Sequence, residues 1–524
     1  MGAVATGPDL RERLAAAVAK GDWRAVEESA TALLRSAPDD VDALFYGGVA
    51  DIELRRPREA IERLKRATAL APQRADCATQ LARVLSMVSR IDEAIAAAEH
   101  ALSSQPADAL TLDTLGVVLS RANRHERALP LFERAVATQP GNASYQFNLA
   151  SSAKFLGDFD RAETAYEACL HAAPHFWRAH SALAQLRTAT PARNHLERLT
   201  ALLPTATAVD ARVHLNLAAA KEYEDLDRPA DAFRCLVAGK SAKRATLRHD
   251  ASIDAQMFDA LHEVFATFVA PARTEADGPI FVVGMPRTGT TLVDRILSSH
   301  SQVRSVGELQ AFGHAIKRAS GVPSPRILDP GTIRAAARAD LGAVGPTYEA
   351  RALEAAGTDA HRTVDKTPLN FLYAGFIARA LPDARIVCLR RDPLDACLAN
   401  FRQLFSLEGS YYDYSWDLLD TGHYYLQFDR LVALWRRVLP GRFLEVRYEN
   451  LVSDQAGTTR ALLEHCGLPW EDACLAFERN AAPVSTASAV QVRQPLYATS
   501  VGRWRRYEEE LRPLRDMLTA AGAL

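Results

Sequence analysis

The stretch FVVGMPRTGTT, residues 281–291, ends an apolar, β-branched run in Gly284 and places Gly289 five residues later. The following TTLVDRILSSH has helical spacing, with Leu292, Ile296 and Leu297 on one face. A glycine-bearing loop between strand and helix offers free N–H groups and the positive end of a helix dipole, which together cradle an anion. A Walker loop would carry lysine directly after the second glycine; here that position holds Thr290. Glycine and proline also make plain turns, but Arg287-Thr288-Gly289-Thr290-Thr291 in this setting points to an anion site.

The next buried run, ARIVCLRRD, closes on Arg390 and Arg391 before Asp392. A magnesium nucleotide site needs a carboxylate at such a strand end. Two cations there favour a second phosphate and disfavour the metal. The pattern therefore describes a ligand with two separate phosphates and no metal.

Three segments in combination resemble a sulfotransferase. VGMPRTGTTLV is similar to the family's 5′-phosphosulfate loop, IVCLRRDPLDACLANF to its 3′-phosphate segment, and GRFLEVRYENLV to the strand and turn that follow. The resemblance spans roughly residues 278–510. With the repeats described below, the chain resembles a bacterial tetratricopeptide-repeat sulfotransferase, related to the tyrosylprotein sulfotransferases. That implies an α/β domain with a parallel sheet and a P-loop-like phosphate-binding loop. It also implies 3′-phosphoadenosine 5′-phosphosulfate (PAPS) as co-substrate, with no metal.

The resemblance assigns roles residue by residue. Thr288, Gly289, Thr290 and Thr291 would cradle the 5′-phosphosulfate, with Arg287 beside the sulfuryl group. Glu308 stands 21 residues after Arg287, where the family has its catalytic glutamate, and would be the general base. Lys366, in RTVDKTPLNF, would stabilise the leaving phosphate oxygen. Thr367, Pro368 and Leu369 follow it where the small-molecule branch has a catalytic histidine, which points to Glu308 as base. Arg391 would grip the 3′-phosphate bidentately. Ala399 replaces the family's usual serine eight residues on, a departure for which Asn400 or Arg402 could substitute. Tyr448 matches a donor-contacting tyrosine; Ser488 and Arg503, in the terminal loop, would reach the 5′-phosphosulfate and the 3′-phosphate. The tyrosine- and tryptophan-rich stretch 406–428 could line the acceptor site, with Tyr424, Phe428 and Trp435 assigned to the core.

The elements around these residues fall into two halves. Proline recurs at 38, 72, 106, 140 and 174; alanine at 60, 94, 128 and 162; small residues at Gly48, Ala82, Gly116, Ala150 and Ala184, all with a period of 34. Three series sharing that period resemble tetratricopeptide repeats: helix pairs packed through small residues and ended by proline. Residues 213–244 read as a degenerate further pair, keeping the twelve-residue offset between Ala220 and Ala232. A solenoid over 8–245, a connecting helix and linker over 246–277, and the sulfotransferase domain over 278–524 are expected. The concave face would bind a protein partner or a second copy. A carboxylate clamp is not expected, because Asn148 has Tyr46, Gln80 and Thr114 as counterparts.

With 62 Lys plus Arg against 64 Asp plus Glu, the chain lacks the basic excess of a nucleic-acid binder. Seven cysteines without a C-x-x-C pair point to buried thiols in a reducing compartment. No apolar leader or membrane span is expected, so the sequence reads as cytoplasmic. The opening MGAVAT fits a myristoylation pattern only by chance. The acceptor hydroxyl stays open between a protein or peptide tyrosine and a small-molecule or sugar hydroxyl. Two rivals remain: a P-loop-type kinase with an altered loop, which Mg²⁺ dependence would reveal, and a non-catalytic repeat adaptor.

Overall fold

The computed structural model describes residues 7–88, 90–274, 277–357, 361–407, 411–480, 492, 496 and 500–524. It divides into two compact units, Met1–Leu186 and Arg187–Leu524.

The first unit is a tetratricopeptide-repeat solenoid. Its helices alternate as the 34-residue period requires: Val41–Glu53 with Pro57–Leu70, Ala75–Met87 with Ile91–Ser103, Ala109–Arg121 with His125–Thr138, and Ala143–Leu156 with Phe159–Ala172. The prolines sit just past the second helix of each pair. Ala60, Ala94, Ala128 and Ala162 are buried between the helices. Gly48 and Gly116 admit the closest approaches, since a Cβ there would lie 2.6 Å from Leu64 and Phe132 respectively. Asp40, Asp108 and Asn142 cap the first helices of three pairs through their side chains. Asn148 donates to Asp113 at 2.9 Å, within the repeats.

In the second unit, helices Val209–Asp225 and Pro229–Arg244 pack through Ala220 and Ala232, both buried. Their turn copies those of the repeats: Asp227 takes a positive φ of 57° as Asn123 takes 58°. The expected solenoid limit at residue 245 thus falls inside the second unit.

The rest of that unit is a five-stranded parallel sheet with helices on both faces. The strands are β1 (Ile280–Gly284), β2 (Val303–Gly307), β3 (Arg362–Asp365), β4 (Arg385–Arg390) and β5 (Phe443–Arg447), in the order β2-β3-β1-β4-β5. Both faces of β1 are covered: Phe281 and Val283 join one core with Ile386 and Cys388, while Ile280 and Val282 join another with Val387, Leu389 and Val446. That double burial explains the continuous apolar run. Tyr424, Phe428 and Trp435 on helix Leu418–Val438 are buried in the first of these cores, as expected. From β1 the chain crosses to β2 on one side, and from β4 to β5 on the other. The switch point between β1 and β4 opens a crevice at the strands' carboxyl ends, where α/β sheets bind ligands.

All seven cysteines are free, and six are buried. Among the described residues no helix is long and apolar enough to cross a membrane, and no cluster of His, Cys, Asp or Glu could hold a metal ion.

Candidate active site

Every strand end at this crevice carries a residue singled out from the sequence. After β1, the loop turns through Arg287, at φ 65°, and Gly289, at φ 108°, into helix Thr290–Ser298. Gly284 lies so near β4 that a Cβ would meet the Leu389 carbonyl at 2.7 Å. A Cβ on Gly289 would meet the Tyr448 ring at 2.6 Å. Glycine is required at both positions by conformation and by space. Thr288, Thr290 and Thr291 are buried, and the Thr288 hydroxyl donates to the Met285 carbonyl at 2.7 Å, closing the loop on itself.

Glu308 follows β2 directly. The β2–β3 register shifts between Ser305 and Gly307, and Gly307 takes a φ of 67°. Such a bulge re-aims the following side chain. The Lys366 ammonium donates to the Glu308 carboxylate, joining the ends of β2 and β3. Lys366 is 2% exposed and Glu308 is 44% exposed, so a buried cation backs a carboxylate that faces solvent.

Two buried carboxylates lie behind this pair. Asp294, on helix Thr290–Ser298, accepts from the Ser305 hydroxyl at 2.7 Å, and burial pushes its carboxyl up to about 6. Asp365 accepts from Thr367 at 2.7 Å and from the Tyr348 hydroxyl at 3.0 Å, and burial pushes it up to about 7. Burial first, and the Glu308 charge next, raise the Tyr412 hydroxyl. Tyr412 also stacks on Phe405 at 4.2 Å between ring centroids.

After β4 the two arginines part. Arg390 pairs with Asp429 and, at 3.4 Å, with Glu445. Arg391 turns to the loop. It donates to the Arg287 carbonyl at 3.2 Å and to the Ser500 carbonyl, and lies 5.0 Å over the Tyr448 ring. Its Nε is buried with no hydrogen-bond partner among the described residues. A guanidinium held through both terminal nitrogens, with its Nε–H unpartnered, suits an incoming oxyanion.

The other sequence assignments are distributed unevenly. Tyr448 begins helix Tyr448–Ser453 and shares a 2.7 Å hydrogen bond with Ser500. Asn400 is spent within the protein, donating to the Pro286 carbonyl at 2.7 Å and accepting from Tyr414 at 3.0 Å. Arg402 pairs with the buried Glu224, and Arg503 donates to the same carboxylate at 2.8 Å. Both arginines are thus engaged at Glu224. Ser488 lies outside the described residues. Ser500 and Asp395, which the sequence reading passed over, both bind at Arg391. Asp395 stands one helical turn after Arg391, a spacing that signals an ion pair.

Residues 279–472 match the sulfotransferase family, while 79–143 and 119–186 match tetratricopeptide repeats. An uncharacterized protein of Aquifex aeolicus is 32% identical over 57% of this chain and 40% of its own length. A protein-tyrosine sulfotransferase of Drosophila melanogaster is 24% identical over 43% of this chain and 46% of its own. The chain thus spans less than half the length of both curated relatives. A solved tetratricopeptide-repeat protein of Thermus thermophilus is 18% identical, covering 34% of this chain and 98% of its own, with a TM-score of 0.30. Residues 279–472 therefore form a sulfotransferase-family domain accompanied by tetratricopeptide repeats.

Proposed function

We propose that this sulfotransferase-family domain moves a sulfuryl group from PAPS to an acceptor hydroxyl, without a metal. The contact of buried Lys366 with solvent-facing Glu308, beside the β1 loop, carries the reading. In the reaction the acceptor oxygen attacks sulfur and its proton passes to Glu308. The bond from sulfur to the 5′-phosphate oxygen breaks, and 3′-phosphoadenosine 5′-phosphate leaves. Lys366 and Arg287 offset the charge that grows on the leaving oxygen, where a preorganised cation is most effective. The loop from Thr288 to Thr291 holds the phosphosulfate. Arg391, stacked on Tyr448, holds the 3′-phosphate in the place its Nε leaves open. Ser488 and Arg503 complete the donor site; Arg503 would do so by exchanging Glu224 for phosphate.

The acceptor is a protein or peptide tyrosine, or a small-molecule or sugar hydroxyl, with Tyr412, which feels the Glu308 charge, and the Phe405 ring stacked on it as an aromatic wall. The repeats would bind a protein partner or a second copy; the functional parts proposed are 8–245, 246–277 and 278–524, with residues 187–245 packed in the second compact unit.

Calorimetry without Mg²⁺ tests the donor site. 3′-Phosphoadenosine 5′-phosphate binds, ATP does not compete, and Arg391→Ala weakens binding at least about 100-fold, as expected for a lost charged bidentate contact. Preference for Mg-ATP would sink the reading in favour of a kinase. Binding of neither ligand would leave an adaptor.

A further inference from the structure

Asp395 is a buried carboxylate on helix Pro393–Arg402, 1% exposed, with no place in the reaction above. Its bonds all lead to one place. Oδ2 accepts from the Gly502 amide at 2.7 Å, and Oδ1 accepts from the Trp504 amide at 2.9 Å. The Arg391 guanidinium lies 3.6 Å from Oδ2. The segment so held is the one that reaches back to the crevice. Its Ser500 carbonyl accepts from Arg391, and its Ser500 hydroxyl bonds the Tyr448 hydroxyl at 2.7 Å.

We propose that Asp395 is the positioning residue of the donor's 3′-phosphate site: it fixes residues 500–504 against Arg391 and Tyr448, and so aims the open Nε of Arg391 at the phosphate. This rests on the donor-binding reading above. Arg391 sits between the β1 loop carbonyl of Arg287 and the carbonyl of Ser500. Both hold two of its nitrogens and leave the third. The Gly502 and Trp504 amides tie the Ser500 side of that grip to Asp395, on the helix that follows Arg391. A carboxylate accepting two backbone N–H groups is well suited to the task, because each is a charge-assisted bond in a buried setting. Asparagine cannot replace it fully: its amide nitrogen would face one of the two N–H donors.

The test compares two nucleotides that differ only at the 3′ position. 3′-Phosphoadenosine 5′-phosphate and adenosine 5′-phosphate are titrated into the full chain and into Asp395→Asn. The expected result is about tenfold weaker binding of the first, from a lost charged hydrogen bond and a loosened Arg391, with the second unchanged. Equal weakening of both, or no change in either, overturns the proposal, since a merely structural role would not single out the 3′-phosphate. Failure of the unsubstituted chain to bind 3′-phosphoadenosine 5′-phosphate would instead overturn the donor-binding reading. Should Asp395→Asn not fold, Ser500→Ala decides: it removes only the hydroxyl bond to Tyr448. It should weaken the 3′-phosphorylated nucleotide about threefold and spare the other; an unchanged affinity sinks the proposal.

Discussion

At the scale of single residues, the proposed chemistry rests on a pair of unequal exposure, buried Lys366 and solvent-facing Glu308. Glu308→Gln keeps the shape and removes the proposed base. Sulfuryl transfer to a phenol should fall about 10²–10⁴-fold, the ordinary worth of a positioned general base. Affinity for 3′-phosphoadenosine 5′-phosphate should stay within about threefold of the original. A turnover within a factor of a few of the original would show that Glu308 is not the base. Glu308 was singled out only through the resemblance, whose 21-residue interval from Arg287 it keeps, since a lone glutamate after a glycine carries no signal of its own. The different fates of Arg390 and Arg391 were missed, although strand alternation contains them. Arg390 shares the face of Cys388, which packs toward helix Leu418–Val438, so it meets Asp429 and Tyr425 there. Arg391 comes one residue later, past the strand, and is free to turn toward the loop. Asp395 escaped notice because its amide partners lie more than 100 residues away, and no local pattern announces them.

At the scale of elements, the 34-residue period was readable because each repeat must solve the same packing problem with the same small residues. Gly116 shows how tight that solution is. Gly116→Ala would put a methyl 2.6 Å from the Phe132 ring, in a core already closed around it. Overpacking of this kind costs about 1–3 kcal/mol. Gly141, in the turn before helix Ala143–Leu156, has nothing within 4 Å of an added Cβ. Gly141→Ala should therefore be neutral or stabilise by up to about 1 kcal/mol, through the unfolded chain. Urea unfolding of the two variants, read as midpoint shifts at constant slope, checks the contrast; a Gly116→Ala midpoint at or above the original would refute the packing account. Where the period fades, the sequence loses its authority. The hairpin Val209–Asp225 and Pro229–Arg244 keeps the Ala220–Ala232 offset and the turn geometry of a repeat, yet it packs within the second unit. What holds it there is sequence-distant: Glu224 meets Arg402, Arg503 and Arg506, and Lys240 meets the Gln403 carbonyl.

At the scale of the whole molecule, that hairpin brings a buried lysine into the body of the unit that holds the crevice. Lys240 is fully buried, donates to the Gln403 carbonyl at 2.7 Å and lies 4.4 Å over the Trp416 ring. Burial pushes its pKa down to about 7. One carbonyl and two aromatic faces, Trp416 and, at 5.8 Å, Phe401, do not replace the water a charged ammonium gives up. Between about pH 7 and the ordinary lysine value near 10, the unfolded chain keeps this proton and the folded chain does not. Fewer protons bound in the folded state mean that stability from this site rises with pH across that window and is lost as pH falls through about 7. Lys240→Met removes the titration while filling similar space. The original chain should thus gain stability over the variant as pH rises from about 7 to 10, by more than about 1 kcal/mol. Below that window the variant should be the more stable, or lose least, because no charge is forced into the core. Denaturant unfolding of both chains at three pH values measures this. A constant difference between them would mean that Lys240 stays charged on folding, held by Gln403 and Trp416 more firmly than its burial allows.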